Sequence, residues 1–175
     1  MSDAKDLLSK GAEFYKLGKY KEALKSFEEA IKIDPNCAKA WNDRGVTLYK
    51  LRMYREALMS FEEAIRLKPD FVEAWNNKAV LLSEFKRYDE AIKSFEKVLE
   101  LKPNYAEAWY NRGIAFYKLK RYEDAVKSFE EAVKIKPEFA EAWYNKGVAL
   151  EKLGKKDEAS KSFEMARRIK PELKL

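Results

Sequence analysis

The sequence predicts an all-α solenoid of five antiparallel helix-turn-helix repeats, and three observations carry that prediction. Every proline falls on one ruler: Pro35, Pro69, Pro103, Pro137 and Pro171 stand 34 residues apart, and the chain has no others. Further columns keep the same step, among them Ala23, Ala57, Ala91, Ala125 and Ala159; Phe27, Phe61, Phe95, Phe129 and Phe163; and Tyr20, Tyr54, Tyr88 and Tyr122. Between the prolines, apolar residues recur at spacings of three and four, which places them on one face of a helix. The units are 4–37, 38–71, 72–105, 106–139 and 140–173, read together as a single domain over 4–173.

The fourth unit shows why each element forms. Ala108, Trp109, Gly113, Phe116 and Leu119 define the apolar stripe of a first helix; after Arg121 and Tyr122, the stripe of a second helix runs through Ala125, Phe129, Ala132 and Val133. Helices of three to four turns are marginal alone in water, so each must bury its stripe against neighbours. Gly11, Gly45, Ala79, Gly113 and Gly147 form a small column on the first helix. There a missing side chain lets the second helix approach, while Trp and Phe fill the wider gaps. Proline closes the second helix because it cannot continue the backbone ladder and drives the preceding residue out of helical geometry. The residue after it is Asn36, Asp70 or Asn104 in three units, a short polar side chain suited to cap the next first helix.

Trp109, Gly113, Phe116, Tyr122, Ala125, Phe129, Ala132 and Pro137, with their counterparts in the other units, resemble the tetratricopeptide repeat signature at its full length, over nearly the whole chain. The resemblance implies a right-handed superhelix whose first helices line a concave ligand groove. One column departs from the family pattern. Lys10, Arg44, Lys78, Arg112 and Lys146 stand where the family commonly has leucine, on the core side of the helical wheel. Their stems are expected to snorkel, with partial pairing to the Glu28, Glu62, Glu96, Glu130 and Glu164 column, because a buried unpaired charge is too costly.

A solenoid must also make its terminal faces soluble. Where earlier second helices carry Leu24, Leu58, Ile92 and Val126 the fifth has Ser160, and where they carry Ile31, Ile65, Leu99 and Val133 it has Arg167. Leu7 and Asp6 likewise thin the apolar surface of the first unit. The expectation is a complete chain whose last repeat acts as its own cap.

Composition excludes most chemistry. The chain has no histidine and one cysteine, Cys37. That removes histidine-based catalysis, any intramolecular disulfide and nitrogen or sulfur metal clusters. The glycines fall in the packing column and at Gly18 and Gly154 in the turn, so none forms a phosphate-cradling loop. Serine recurs as Ser26, Ser60, Ser94, Ser128 and Ser162, a structural period rather than a nucleophile. No enzyme activity, catalytic residue, metal or cofactor is expected. With no apolar signal core or membrane-length run, the chain reads as cytoplasmic. A polar surface rich in Lys and Glu, without His or Gln, is the bias of proteins working at high temperature.

Binding remains, and the resemblance says where. Projection on the first helices places in the groove Asn42, Asn76, Tyr110 and Tyr144; Asn77, Asn111 and Asn145; Val46, Val80, Ile114 and Val148; and Tyr15, Tyr49 and Tyr117. Lys16, Lys50, Lys118 and Lys152 form one edge and Glu73, Glu107 and Glu141 the other. Asparagine amides can hydrogen-bond a peptide backbone without demanding particular side chains, and tyrosines give large amphipathic contact at small entropic cost. Acids at helix starts and lysines at helix ends are equally what the helix dipole favours with no ligand present. The lysines, asparagines and arginine with which chaperone-binding family members grip a carboxylate are not reproduced; Leu8, Ala12, Asp43, Glu73 and Asn77 stand there. The expected function is a monomeric adapter holding an extended peptide segment of a protein partner, with some acidic preference. The alternative is a nucleic-acid-binding helical repeat, motivated by a pI of about 9.1 and by tyrosines interleaved with lysines, and opposed by Asp43, Glu73, Glu107 and Glu141.

Overall fold

A computed structural model of the chain describes residues 3–172; residue 173, the last of the fifth unit, lies outside the described residues. Among those described are ten α-helices and no strand: α1 (Ala4–Lys16), α2 (Tyr20–Ile33), α3 (Ala38–Lys50), α4 (Tyr54–Leu67), α5 (Val72–Glu84), α6 (Tyr88–Leu101), α7 (Ala106–Lys118), α8 (Tyr122–Ile135), α9 (Ala140–Lys152) and α10 (Lys156–Ile169). They form tandem repeats, odd-numbered helices being the first of each unit. The chain divides into two compact units between Leu81 and Leu82, within α5.

All five turns between first and second helices are Schellman motifs. In the fourth, Lys120 N–H donates to the Tyr117 carbonyl at 2.9 Å and Arg121 N–H to the Phe116 carbonyl at 2.9 Å, satisfying carbonyls the helix end leaves open. The motif needs a left-handed residue. Gly18 and Gly154 supply it at φ 72° and 77°, while Arg52, Lys86 and Lys120 adopt it at 61°, 58° and 60°. At the other end of each hairpin, the residue before proline (Asp34, Lys68, Lys102, Lys136 or Lys170) leaves helical geometry and closes the second helix.

The small column works as expected, and its partner is the phenylalanine column. A Cβ built on Gly11, Gly45, Gly113 or Gly147 would lie 2.6 Å from the ring of Phe27, Phe61, Phe129 or Phe163 respectively. Ala23, Ala57, Ala91, Ala125 and Ala159 are fully buried or nearly so. In the first unit Leu48, Ala57, Phe61 and Leu81 form one core cluster, with Leu7, Ala30 and Ala40 in another. In the second, Phe116, Ala125, Phe129 and Leu150 are the centre of the larger cluster. Ser160 and Arg167 are exposed, as their polarity requires.

Capping by Asn36 and Asn104 is not realised. The N-cap positions are Cys37 and Tyr105, one residue later, and neither makes a side-chain cap bond. The Asn36 N–H is itself held by Asp34 Oδ1 at 3.1 Å. What ties each loop to the helix that follows is the tryptophan. Trp41, Trp75, Trp109 and Trp143 donate their indole N–H to the carbonyls of Pro35, Pro69, Pro103 and Pro137 at 2.9, 2.9, 2.8 and 2.9 Å. Nothing in the periodicity alone announces this bond.

Three cations of the basic column both snorkel and pair, each reaching back to the preceding repeat. Arg44 meets Glu28 at 3.1 Å, Lys78 meets Glu62 at 2.9 Å and Lys146 meets Glu130 at 3.0 Å. Each also lies over the tryptophan three residues earlier, at 5.7, 5.8 and 5.4 Å from the ring. Arg112 sits closest, 4.3 Å over Trp109, and its Nε donates to Ser128 Oγ at 3.2 Å. Burial lowers its pKa, opposed by the charges of Glu96 and Asp124. Lys10, with no earlier repeat behind it, lies over Phe14 instead.

The Gly113–Phe129 contact is open to a double-mutant cycle. Gly113→Val forces carbon into space the ring occupies and is expected to destabilise by about 3 kcal/mol; Phe129→Ala alone should cost about 3–5 kcal/mol. Combined, the two should cost far less than their sum in thermal or denaturant unfolding. Additive effects would mean the ring does not set the approach of the two helices.

Candidate functional site

In the first unit, α1, α3 and α5 present residues at helical spacing on one face, and two depressions lie there in series. The first holds about 210 Å³ and is lined by Ala12, Tyr15 and Lys16 of α1, Lys39, Asp43 and Val46 of α3, and Phe27 of α2. The second, also about 210 Å³, is lined by Tyr15, Val46, Tyr49, Lys50, Asn77 and Val80 with Phe61 of α4. Tyr15 and Val46 belong to both and form the ridge between them. Thus Val46, Tyr49, Lys50, Asn77 and Val80, all read from the sequence, do come together. Sequence reasoning missed the floor, because Phe27 and Phe61 are core residues that also show an edge to the groove.

The tyrosines are held by aromatic contacts at their base. Tyr15 meets Tyr20 with ring centroids 5.3 Å apart, and Tyr49 meets Tyr54 at 5.7 Å. Burial, with the neighbouring Tyr20 and Asp43, raises the Tyr15 pKa and keeps its hydroxyl neutral.

The asparagines differ from expectation. Asn42 is buried, 6% exposed, and its Oδ1 accepts from Asn77 Nδ2 at 2.9 Å. It is a structural link between α3 and α5, not a free groove amide. The Asn76 Oδ1 atom is buried and has no hydrogen-bond partner among the described residues.

In the second unit, α7 and α9 carry the equivalent face. Tyr110 packs on Phe129 at 5.8 Å and Phe139 at 4.8 Å, and its hydroxyl accepts from Asn145 Nδ2 at 3.0 Å. Burial first, then the charge of Glu141, raises its pKa, opposed by the Asn145 bond. Tyr144 lies 5.6 Å from Phe163 and Tyr117 5.4 Å from Tyr122. Asn111, Ile114 and Val148 are partly exposed. Asn145 is occupied by Tyr110 and by the Glu141 carbonyl, so its donor is not free either.

The two charged edges are unequal. Glu107 meets Lys136 at 3.4 Å and Glu141 meets Lys170 at 3.0 Å, each tying the start of a hairpin to its end. Asp43 is paired with Lys39 at 2.6 Å. Lys16, Lys50, Lys118 and Lys152 are exposed and make no ion pair among the described residues. Glu73, at the start of α5, is exposed and likewise makes no ion pair among the described residues. Among the described residues no group of His, Cys, Asp or Glu could hold a metal ion, and no helix is long and apolar enough to cross a membrane.

The tetratricopeptide repeat profile matches residues 38–71, 106–139 and 140–173, together more than half of the chain. A second repeat profile matches 11–51 and 86–120, and a third, again described as tetratricopeptide repeat, matches 60–93. No curated protein matches the chain. Among solved structures, that of MamA is 24% identical with a TM-score of 0.88, covering 92% of this chain and 94% of that one. MamA 41-end from Desulfovibrio magneticus RS-1 is 22% identical with a TM-score of 0.89, covering 98% and 97%. YrrB, described as a TPR protein with an unusual peptide-binding site, is 22% identical with a TM-score of 0.85, covering 98% and 88%. At these identities the likeness is one of fold.

Two predictions follow from the site's polar groups. Asn42→Ala strands a donor of Asn77 and is expected to cost about 1–3 kcal/mol. Asn76→Ala removes an amide that satisfies nothing and should stay within about 0.5 kcal/mol of the parent; equal losses in thermal unfolding would contradict the hydrogen-bond assignment. Tyr15 and Tyr110 have raised pKa values when folded, so their contribution is full below the ordinary tyrosine value of 10.0 and is lost as pH rises through the folded value. Alkaline melting curves of Tyr110→Phe should accordingly fall less steeply than those of the parent.

Proposed function

The chain belongs to the tetratricopeptide repeat family, and from that premise we propose that it is a non-catalytic adapter that holds an extended peptide segment of a partner protein along the first-helix face. The observation that carries this is the pair of depressions in series in the first unit, walled by Tyr15, Val46, Tyr49 and Val80 and rimmed by lysine. Small apolar pockets with a few polar groups between them suit alternate side chains of an extended chain. Val46, Val80, Tyr49, Lys50 and Asn77 form the first unit's contribution, and Asn111, Ile114, Val148, Tyr117, Lys118 and Lys152 the second's. Asn42 leaves the set because it is buried. Tyr110, Tyr144, Asn76 and Asn145 act from the edge, through partly exposed rings and amides. In this reading, residues 4–173 work as one domain, the last repeat is its own cap, and the protein is a cytoplasmic monomer with a surface suited to high temperature. YrrB, a protein of the same fold, has a peptide-binding site, which supports a peptide as the ligand class here.

A nucleic-acid strand is the second reading. What favours it is that Asp43, Glu107 and Glu141 are matched internally, leaving exposed lysines beside tyrosines. Against it, apolar depressions are of no use to a phosphate track.

The test is a peptide-library selection on the intact protein, repeated on a Tyr15→Ala, Tyr49→Ala variant shown by circular dichroism to be fully helical. Enriched peptides should share apolar and acidic residues and bind the variant at least about tenfold more weakly. Equal binding to both proteins would remove the first-helix face as the site. Affinity for single-stranded oligonucleotides that falls steeply with salt would favour the second reading.

A further inference from the structure

Two columns of the second hairpin arm hold a cation in every repeat but the second. Lys25, Lys93, Lys127 and Lys161 share a register position with Met59, and Lys19, Arg87, Arg121 and Lys155 share one with Met53. The exchange frees a carboxylate. In the last three repeats the cation pairs with the acid three residues on: Arg87 with Glu90 at 2.6 Å, Arg121 with Asp124 at 2.8 Å and Lys155 with Glu158 at 3.5 Å. Met53 offers no such charge. Glu56 is exposed and makes no ion pair among the described residues, although Arg52 and Arg55 are near it in the chain.

Met53, the N-cap of α4, is followed by Glu56, Met59 and Glu63 at steps of three and four, so the four stand on one face. That face borders a further depression of about 380 Å³, lined by Trp41 and Arg44 of α3 with Glu56, Met59 and Glu63. It is not part of the groove: Val46 comes two residues after Arg44, about 200° around α3. Its charges are unequally matched. Arg44 is held by Glu28 at 3.1 Å and by Ser60 Oγ at 2.7 Å, and Glu63 by Arg66 at 2.6 Å. Among the described residues, Glu56 is the lining charge left uncompensated. Met53 is 40% exposed and Met59 64%. A single exposed apolar side chain needs no explanation. Two on one face, each in place of a cation and on either side of a free carboxylate, make a patch unlike the same face of the other repeats.

We propose that this face of α4 is a second binding surface, separate from the first-helix groove, and that its occupant is an apolar–basic segment of a partner protein. An apolar side chain of the segment enters the depression between Trp41 and Met59, and a lysine or arginine beside it pairs with Glu56. Methionine suits such a contact because its unbranched, polarizable side chain adapts to the shape presented to it. The lysines at the same register in the other repeats would repel that cation, which confines the site to the second.

The test uses the full-length protein carrying ¹³C in its methionine methyl groups, and short acetylated, amidated peptides in which arginine flanks leucine, beside versions with glutamate for arginine. Met165 of α10 is an internal control. The arginine peptide should shift the methyl resonances of Met53 and Met59, leave that of Met165 in place, and bind at least about tenfold more tightly than the glutamate version. Met53→Lys, Met59→Lys installs at both positions a residue that other repeats carry there, so the helix is kept, and binding should fall about tenfold or more. Glu56→Gln should weaken binding about two- to fivefold. The Tyr15→Ala, Tyr49→Ala protein should still take up the peptide. Equal binding to the Met53→Lys, Met59→Lys protein, or no shift of either methionine, would overturn the second surface. Loss of binding in the tyrosine variant instead would put the peptide in the groove and overturn it too. Self-association of the unliganded parent that the lysine variant abolishes, seen by sedimentation velocity, would give the patch to a second copy of the chain and overturn the basic-segment assignment.

Discussion

Four phenylalanine rings lie against helix backbone at a distance no side chain could share, and the fold depends on that contact. With a Cβ on Gly11, Gly45, Gly113 or Gly147 the nearest ring atom would be 2.6 Å away, so in those four repeats the approach of first and second helix requires a residue without a side chain. Once the two helices are that near, the flanking alanines can be buried almost completely. The outer face of the first helix is then turned away from the core at a definite angle. The groove residues inherit their direction from this contact. The Trp-to-Pro hydrogen bond carries the arrangement onward, because it joins the loop after one hairpin to the first helix of the next.

Charge does a different job on each side of that core. Arg44, Lys78 and Lys146 are each held between a tryptophan ring and a glutamate of the preceding repeat, which gives a partly buried cation both a face and a counter-charge. A cation placed where leucine would pack is tolerable on those terms. On the groove side, Asp43, Glu107 and Glu141 are paired within their own repeats, while Lys16, Lys50, Lys118 and Lys152 make no ion pair among the described residues.

Much of the fold was legible because packing in a repeat is local. The proline ruler, the Gly and Phe columns and the two amphipathic stripes each lie within one period, and each describes a contact made inside one hairpin. The groove was legible in part for the same reason: a helical wheel places Val46, Tyr49, Lys50, Asn77 and Val80 on the outward side of α3 and α5. The wheel failed at Asn42 and Asn145, which it read as free amides. It also failed at Asn36 and Asn104, where a cap one residue out of register was expected and the tryptophan holds the loop instead.

The sequence by itself determined the number of repeats, their hairpin form and the absence of histidine. Tertiary structure alone decided which polar groups are already used. Arg44 finds Glu28 sixteen residues away, Lys136 finds Glu107 across twenty-nine, and Asn77 finds Asn42 across thirty-five. A hydrogen bond is short and directional, so its formation depends on where two distant side chains arrive in space. Periodicity records which residues face outward, but the direction of the hydrogen-bond chain from Asp43 to Asn77 arises only when α3 and α5 stand side by side.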